Sequence, residues 1–267
     1  MKLTDPKALD KEPDAQFRCI YCSHYVPSYN PQAGICPFCE IPTDKTNEQL
    51  KLNKPLFLAL NQISDALLAN KYDDATKAFE ALIAIEISPQ VLYAKGMLHL
   101  FLSDYEYSKR DYATPDGFME GNAELINSGL GHFSDAKALF YKAISLVDKQ
   151  PEADPTLKYV KFLAQIRLKR MLEAKKTLSE ITAAGTLIEA YANMLYHCEV
   201  NDRNAQSYIE KVAELGIPNA FYYYSNLLVE DRKLAQAKKV LVKLLNKVDI
   251  QPAKKLLIGI ERVQTII

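Results

Sequence analysis

From about residue 48 onward, apolar residues recur every three or four positions, with few prolines or glycines to interrupt them. This periodicity predicts helices with one buried face. A unit then returns along the chain: a helix, a short turn, and a second helix bearing a small residue followed four positions later by a large one. Asn70-Lys-Tyr-Asp-Asp-Ala75 leads to Phe79 and Leu82, and His132-Phe-Ser-Asp-Ala136 leads to Phe140 and Ala143. Ala174, Ala205 and Ala237 begin the same pattern, leading to Leu178 and Ile181, Ile209 and Val212, and Leu241 and Leu244. The small residue permits close approach of two helices, and the large one fills the next interface.

The repeated alanines stand 61, 38, 31 and 32 residues apart. The later intervals mark a period of 30-odd residues, and the first implies an inserted segment, about 104–131. Its first part carries Tyr105, Tyr107 and Tyr112 among charges of both signs, with Pro115 as a stop. Met119, Ala123, Ile126, Leu130 and Phe133 then step as a helix would. Residues 252–266 read as a last helix covering the end of the array.

Leu92-Tyr-Ala-Lys-Gly96-Met-Leu-His-Leu resembles the first helix of a tetratricopeptide (TPR) repeat, and Phe133-Ser-Asp-Ala136 through Phe140-Tyr-Lys-Ala143 resembles the second. The resemblance spans residues 48–250 but lacks the family's usual Trp/Leu-Gly pair in most first helices. It implies a mostly α fold, a right-handed α-solenoid of TPR-like helix pairs, over a domain at 46–267. It also implies a concave groove lined by first helices. Extrapolating the register places Tyr93, Tyr159 and Tyr222 at equivalent groove positions, beside Met97, Leu163, Met194, His197 and Asn226. Tyrosines combine apolar area with a polar tip and suit a protein or peptide partner. The paired Lys/Asn positions of chaperone-tail clamps are missing: Leu60, Ser64, Ala190 and Met194 stand there.

Residues 1–45 differ. Five prolines between Pro13 and Pro42 punctuate a stretch with short hairpins in prospect. Cys19-Ile-Tyr-Cys22 and Cys36-Pro-Phe-Cys39 give the spacing C-x2-C-x13-C-x2-C. Two intervening residues let both sulfurs of a tight turn face one ion, and four thiolates suit tetrahedral Zn²⁺. So small a module needs a metal to fold. Phe17-Arg-Cys-Ile-Tyr-Cys through Gly34-Ile-Cys-Pro-Phe-Cys resembles the zinc-ribbon and rubredoxin-like family. That resemblance implies a metal knuckle at Cys19, Cys22, Cys36 and Cys39. Rubredoxin-like iron sites usually carry glycine after the second cysteine of each pair. Ser23 and Glu40 occupy those positions here, which favours structural zinc over redox iron.

The 267 residues are 48% hydrophobic and 25% charged, an ordinary soluble composition. Lysine plus arginine and aspartate plus glutamate both number 33, so no global charge draws the chain to nucleic acid. The halves differ, at −5 over residues 1–150 and +5 over 151–267. Lys169, Arg170, Lys175 and Lys176, with Lys238 and Lys239 further on, could form a basic ridge for RNA or a ribosome. Only Cys198 lies outside the two pairs, and no 18-residue apolar run is present. These features predict a reducing, cytoplasmic setting without membrane insertion. A Gly-rich phosphate loop, a nucleophile elbow and a zincin helix are all missing from the sequence. His197 and Cys198, adjacent on a helix, would point about 100° apart and cannot act together. The expectation is a non-enzymatic adaptor with a structural zinc ribbon, the alternative being an RNA- or ribosome-associated factor.

Overall fold

The computed structural model describes residues 19, 21–22, 34–36, 38–43, 54–85, 87–108, 121–150, 152–181, 186–215, 217, 219–246 and 251–266. These residues are mostly helical. In chain order the helices are α1 (Lys54–Leu68), α2 (Tyr72–Ile85), α3 (Pro89–Ser108), α4 (Gly121–Asp148), α5 (Pro155–Arg167) and α6 (Met171–Glu180). They continue as α7 (Leu187–Glu199), α8 (Ala205–Glu214), α9 (Asn219–Glu230), α10 (Leu234–Leu245) and α11 (Gln251–Ile266). Ahead of them lie two short antiparallel strands, β1 (Gly34–Ile35) and β2 (Pro42–Thr43), with Gly34 opposite Thr43 and Ile35 opposite Pro42.

Neighbouring helices pack in sequence, α1 on α2, α3 on α4, α5 on α6, α7 on α8 and α9 on α10. In addition α3 touches α5, α5 touches α7, and α7 touches α9. Ala75, Ala136, Ala174, Ala205 and Ala237 are all buried, as the small-residue pattern requires. Phe79, Phe140, Ile209 and Leu241 are buried four positions after them, and Leu178 is partly covered. Ala253 and Ile260 bury one face of α11, which packs on α10.

The turns repeat as well. Asn70, Lys169, Asn201 and Arg232 each adopt a left-handed backbone, with φ of 55°, 58°, 50° and 60°. Each follows the end of an odd-numbered helix. In each turn the next amide bonds back to a carbonyl five residues earlier: Lys71 to Ala66, Arg170 to Gln165, Asp202 to His197 and Lys233 to Leu228. This is the Schellman closure, which satisfies last-turn carbonyls and normally favours glycine. At the other end, Asp154 caps α5 by accepting from the Leu157 amide at 2.9 Å, ahead of Pro155.

The described parts of the expected insertion at 104–131 are helical. Asp104–Ser108 extend α3, and Gly121–Gly131 form the first turns of α4. Tyr112 and Pro115 lie outside the described residues, as does the side chain of Tyr107. Tyr105 is half-buried, stacked on Phe101 and edge-on to Tyr72. Along the α3–α4 interface, Gly96 meets Phe140 so closely that a β-carbon there would lie 2.5 Å from the ring. Among the described residues, no helix is long and apolar enough to cross a membrane.

Candidate metal centre and its seat on the helices

The β1–β2 pairing brings the second cysteine pair into a tight turn. The Glu40 amide bonds the Cys36 carbonyl at 2.8 Å, and the Cys36 amide bonds the Ile41 carbonyl at 3.1 Å. Cys19 and Cys22 close on it from the first knuckle, and the Tyr21 amide points at the Cys19 sulfur at 3.5 Å. All four cysteines are buried, and their sulfurs lie within 4.8 Å of one another. Cys19 Sγ is 3.6 Å from Cys39 Sγ, and Cys22 Sγ is 3.5 Å from Cys36 Sγ. A tetrahedral ion with metal–sulfur bonds near 2.3 Å separates its sulfurs by about 3.8 Å, so the donor set fits such a group.

The electrostatics agree. Burial disfavours ionisation of Cys19, Cys22 and Cys39. Hydrogen bonds from Cys22, Cys36 and Cys39 nevertheless hold the Cys19 thiol well below its ordinary range. Burial and the neighbouring Cys19 push Cys22 and Cys39 well above theirs. Cys22 and Cys39 therefore hold their protons beside Cys19, and a cation shared by the sulfurs would let them ionise.

Glu40 explains what replaces the knuckle's glycine. Its φ is 58°, the left-handed conformation that glycine would adopt without strain. The side chain then enters the protein and forms an ion pair with Arg167 at the end of α5. Both side chains are only 5% exposed. Burial pushes the Glu40 carboxyl up and the guanidinium opposes it, while Glu40 and Tyr93 offset the burial of Arg167 and hold it charged. Arg167 Nε also reaches the Tyr93 hydroxyl at 3.4 Å, and the Tyr159 hydroxyl donates to the Glu40 carbonyl at 2.9 Å. Next to this pair, Glu199 of α7 accepts from Lys169 and from the Tyr223 hydroxyl. Burial raises the Glu199 carboxyl, but Lys169, Arg167 and Tyr223 bring it below the usual range. A second contact is aromatic: Phe38 packs edge-on to Phe101 of α3, 6.4 Å between centroids.

The tyrosines touching this seat follow one rule. Tyr93, Tyr159, Tyr191 and Tyr223 are each the fifth residue of α3, α5, α7 and α9. Burial raises all four hydroxyls above their ordinary range, so they act as neutral hydrogen-bonding groups. The sequence reading therefore needs correction. It named Tyr222 where Tyr223 holds the equivalent position, and it missed Tyr191. Tyr93, Met97, Tyr159, Leu163 and Met194 do not line an open groove, because all five are fully buried. Helix packing buries them, and Tyr159 also bonds the Glu40 carbonyl of the four-cysteine module. Tyr222 and Asn226 remain half-buried, with Asn226 donating to the Tyr222 carbonyl at 2.9 Å.

The basic ridge is partly neutralised. Lys169 pairs with Glu199, Arg170 with Glu173, and Lys238 with Glu261. Lys175, Lys176 and Lys239 face solvent. Cys198 is buried, which pushes its thiol up to about 12, and His197 instead bonds Asp202 at 3.0 Å. Neither forms a nucleophile–base pair. No family model matches the chain, and neither the curated proteins nor the solved structures contain a match to it.

Proposed function

We propose that the protein is a non-enzymatic adaptor: an array of TPR-like helix pairs that binds a protein partner and carries a structural zinc ribbon seated on its own first-helix face. The observation that carries this reading is the repeated architecture. Helices α3, α5, α7 and α9 contact one another in succession, left-handed turns recur 32 and 31 residues apart from Lys169 to Arg232, and a tyrosine recurs at one helix position. Such arrays supply extended surface in place of a single pocket. Zinc is the proposed occupant because Ser23 and Glu40 stand where rubredoxin-like iron sites usually carry glycine, and four thiolates make a closed, structural tetrahedral site.

The ribbon occupies the face on which Tyr93 and Tyr159 lie, so the partner surface is displaced from them. It falls on the half-buried Tyr222 and Asn226. The RNA-binding alternative is weakened by the acidic partners of Lys169, Arg170 and Lys238, since phosphate contacts need several free cations. The test is affinity capture from native lysate, with and without nuclease, using the wild type and two double variants. Tyr222→Ala/Asn226→Ala should lose the captured protein, and Lys175→Ala/Lys176→Ala should retain it. Capture that disappears with nuclease, or with the lysine variant alone, supports the RNA reading instead.

A further inference from the structure

Where α3 crosses α4, three metal-competent side chains converge away from the cysteines. His99 comes from α3, and His132 and Asp135 come from α4. His132 and Asp135 are three residues apart on one helix and share a face. His99 Nδ1 lies 3.2 Å from His132 Nδ1 and 3.6 Å from an Asp135 carboxylate oxygen. All three donor atoms fall within 4.8 Å of one another. Bonds of about 2.0–2.1 Å to a tetrahedral Zn²⁺ put neighbouring donors about 3.3–3.4 Å apart, which matches this spacing.

We propose that His99, His132 and Asp135 form a second site for a divalent transition metal, Zn²⁺ by its donor set. Two imidazoles and a carboxylate are a borderline nitrogen–oxygen set that suits zinc and does not require thiolate. The site bridges α3 and α4 just where those helices are extended, so a bound ion clamps that pair. Its inner side is closed, with His99 buried. Its outer side opens to solvent through Asp135, whose side chain is 64% exposed. Three protein donors leave one coordination position for water or for a donor from a partner. One turn before His99 on α3, the buried Lys95 would oppose a cation, but Glu80 of α2 pairs with it and takes up its charge. One turn after His99, Ser103 Oγ donates to the Gly129 carbonyl at 2.8 Å and holds the two helices in register beside the site.

The test uses the full-length protein with its cysteine site filled. Zn²⁺ is titrated in by calorimetry, and bound metal is counted by elemental analysis after desalting. The expected result is one ion beyond the cysteine site, accompanied by a rise in melting temperature. Asp135→Ala and His132→Ala alter residues that are not fully buried and should keep wild-type helicity. Each should weaken the additional binding at least tenfold and abolish the rise in melting temperature, while leaving the cysteine-bound ion in place. His99→Asn is a further variant, read only if its circular dichroism is unchanged. A wild type that takes up no additional zinc overturns the proposal, and so does additional zinc bound equally by Asp135→Ala and His132→Ala. The cysteine-bound ion is counted separately in every arm, so failure of this site leaves the adaptor reading standing.

Discussion

Arg167→Met removes the guanidinium that faces Glu40 while preserving most of the side chain's apolar stem. The pair is buried on both sides, each side chain 5% exposed, and Arg167 also contacts the Tyr93 hydroxyl. Removing one partner of such a pair strands the other, at a cost of about 3–5 kcal/mol. Because the pair joins the four-cysteine module to α5, the loss should fall on docking of that module more than on the helices. At about 1.4 kcal/mol per factor of ten, a 3 kcal/mol loss raises the population of the undocked state roughly 100-fold. Nitration of Tyr159 reads this directly, since its ring is fully buried and its hydroxyl donates to the Glu40 carbonyl across the seat. Its protection should fall by that factor in Arg167→Met, while hydrogen exchange in α7–α10 changes little. Glu40→Gln should act in the same direction. The double variant should cost less than the sum of the two, with a coupling of at least about 1.5 kcal/mol. Unchanged protection in Arg167→Met, or a coupling below about 0.5 kcal/mol, would refute the claim that this ion pair seats the module.

Gly96→Ala gains up to about 1 kcal/mol of helix propensity, but its β-carbon would lie 2.5 Å from the Phe140 ring; overpacking costs of about 1–3 kcal/mol should prevail, and Phe140→Leu should partly restore the midpoint in urea. Arg232→Gly should raise stability by about 0.5–1 kcal/mol, because glycine accepts the 60° φ that arginine adopts under strain; a fall in melting temperature would contradict the assigned turn. The Glu199 carboxyl is held below its ordinary value, so its contribution is present above an unfolded pKa near 4.3 and is lost as pH falls through the lower folded value. The stability gap between wild type and Glu199→Gln should therefore be constant near neutrality and narrow below about pH 4.5, and a gap that widens on acidification would reject the sign.

The alternation of small and large residues was readable because it is local. Ala174 with Ile181 and Ala205 with Ile209 lie within one helix or just past its end, and their burial follows from helical periodicity alone. The cysteine knuckles were readable for the same reason. The tyrosine positions were only partly so. Phe221-Tyr222-Tyr223-Tyr224 places three tyrosines in succession, and a shift of one residue turns a helical side chain by about 100°. The 32-residue step from Tyr159 through Tyr191 to Tyr223 was present in the sequence, but Tyr191 carries no neighbouring motif to mark it. Pairing of Glu40 with Arg167 left no local trace, since 127 positions separate them. The one hint was an acidic residue at a position that favours glycine. His99 and His132 stand on opposite sides of the inserted segment, and only the packing of α3 on α4 brings their rings together.

The central claim is that a metal held by Cys19, Cys22, Cys36 and Cys39 keeps the N-terminal module seated over the tyrosines of the odd helices. The most direct measurement is tyrosine nitration mapped by mass spectrometry, before and after a chelator strips the metal, with circular dichroism followed in parallel. Tyr159, fully buried and bonded to the Glu40 carbonyl, is the reporter. The account predicts that Tyr159 is protected in the metal-loaded protein and nitrated after stripping, while helical content is retained. Equal protection in both states would show that the metal does not hold the module there, and collapse of the helices on stripping would show that the module is not a separable cover.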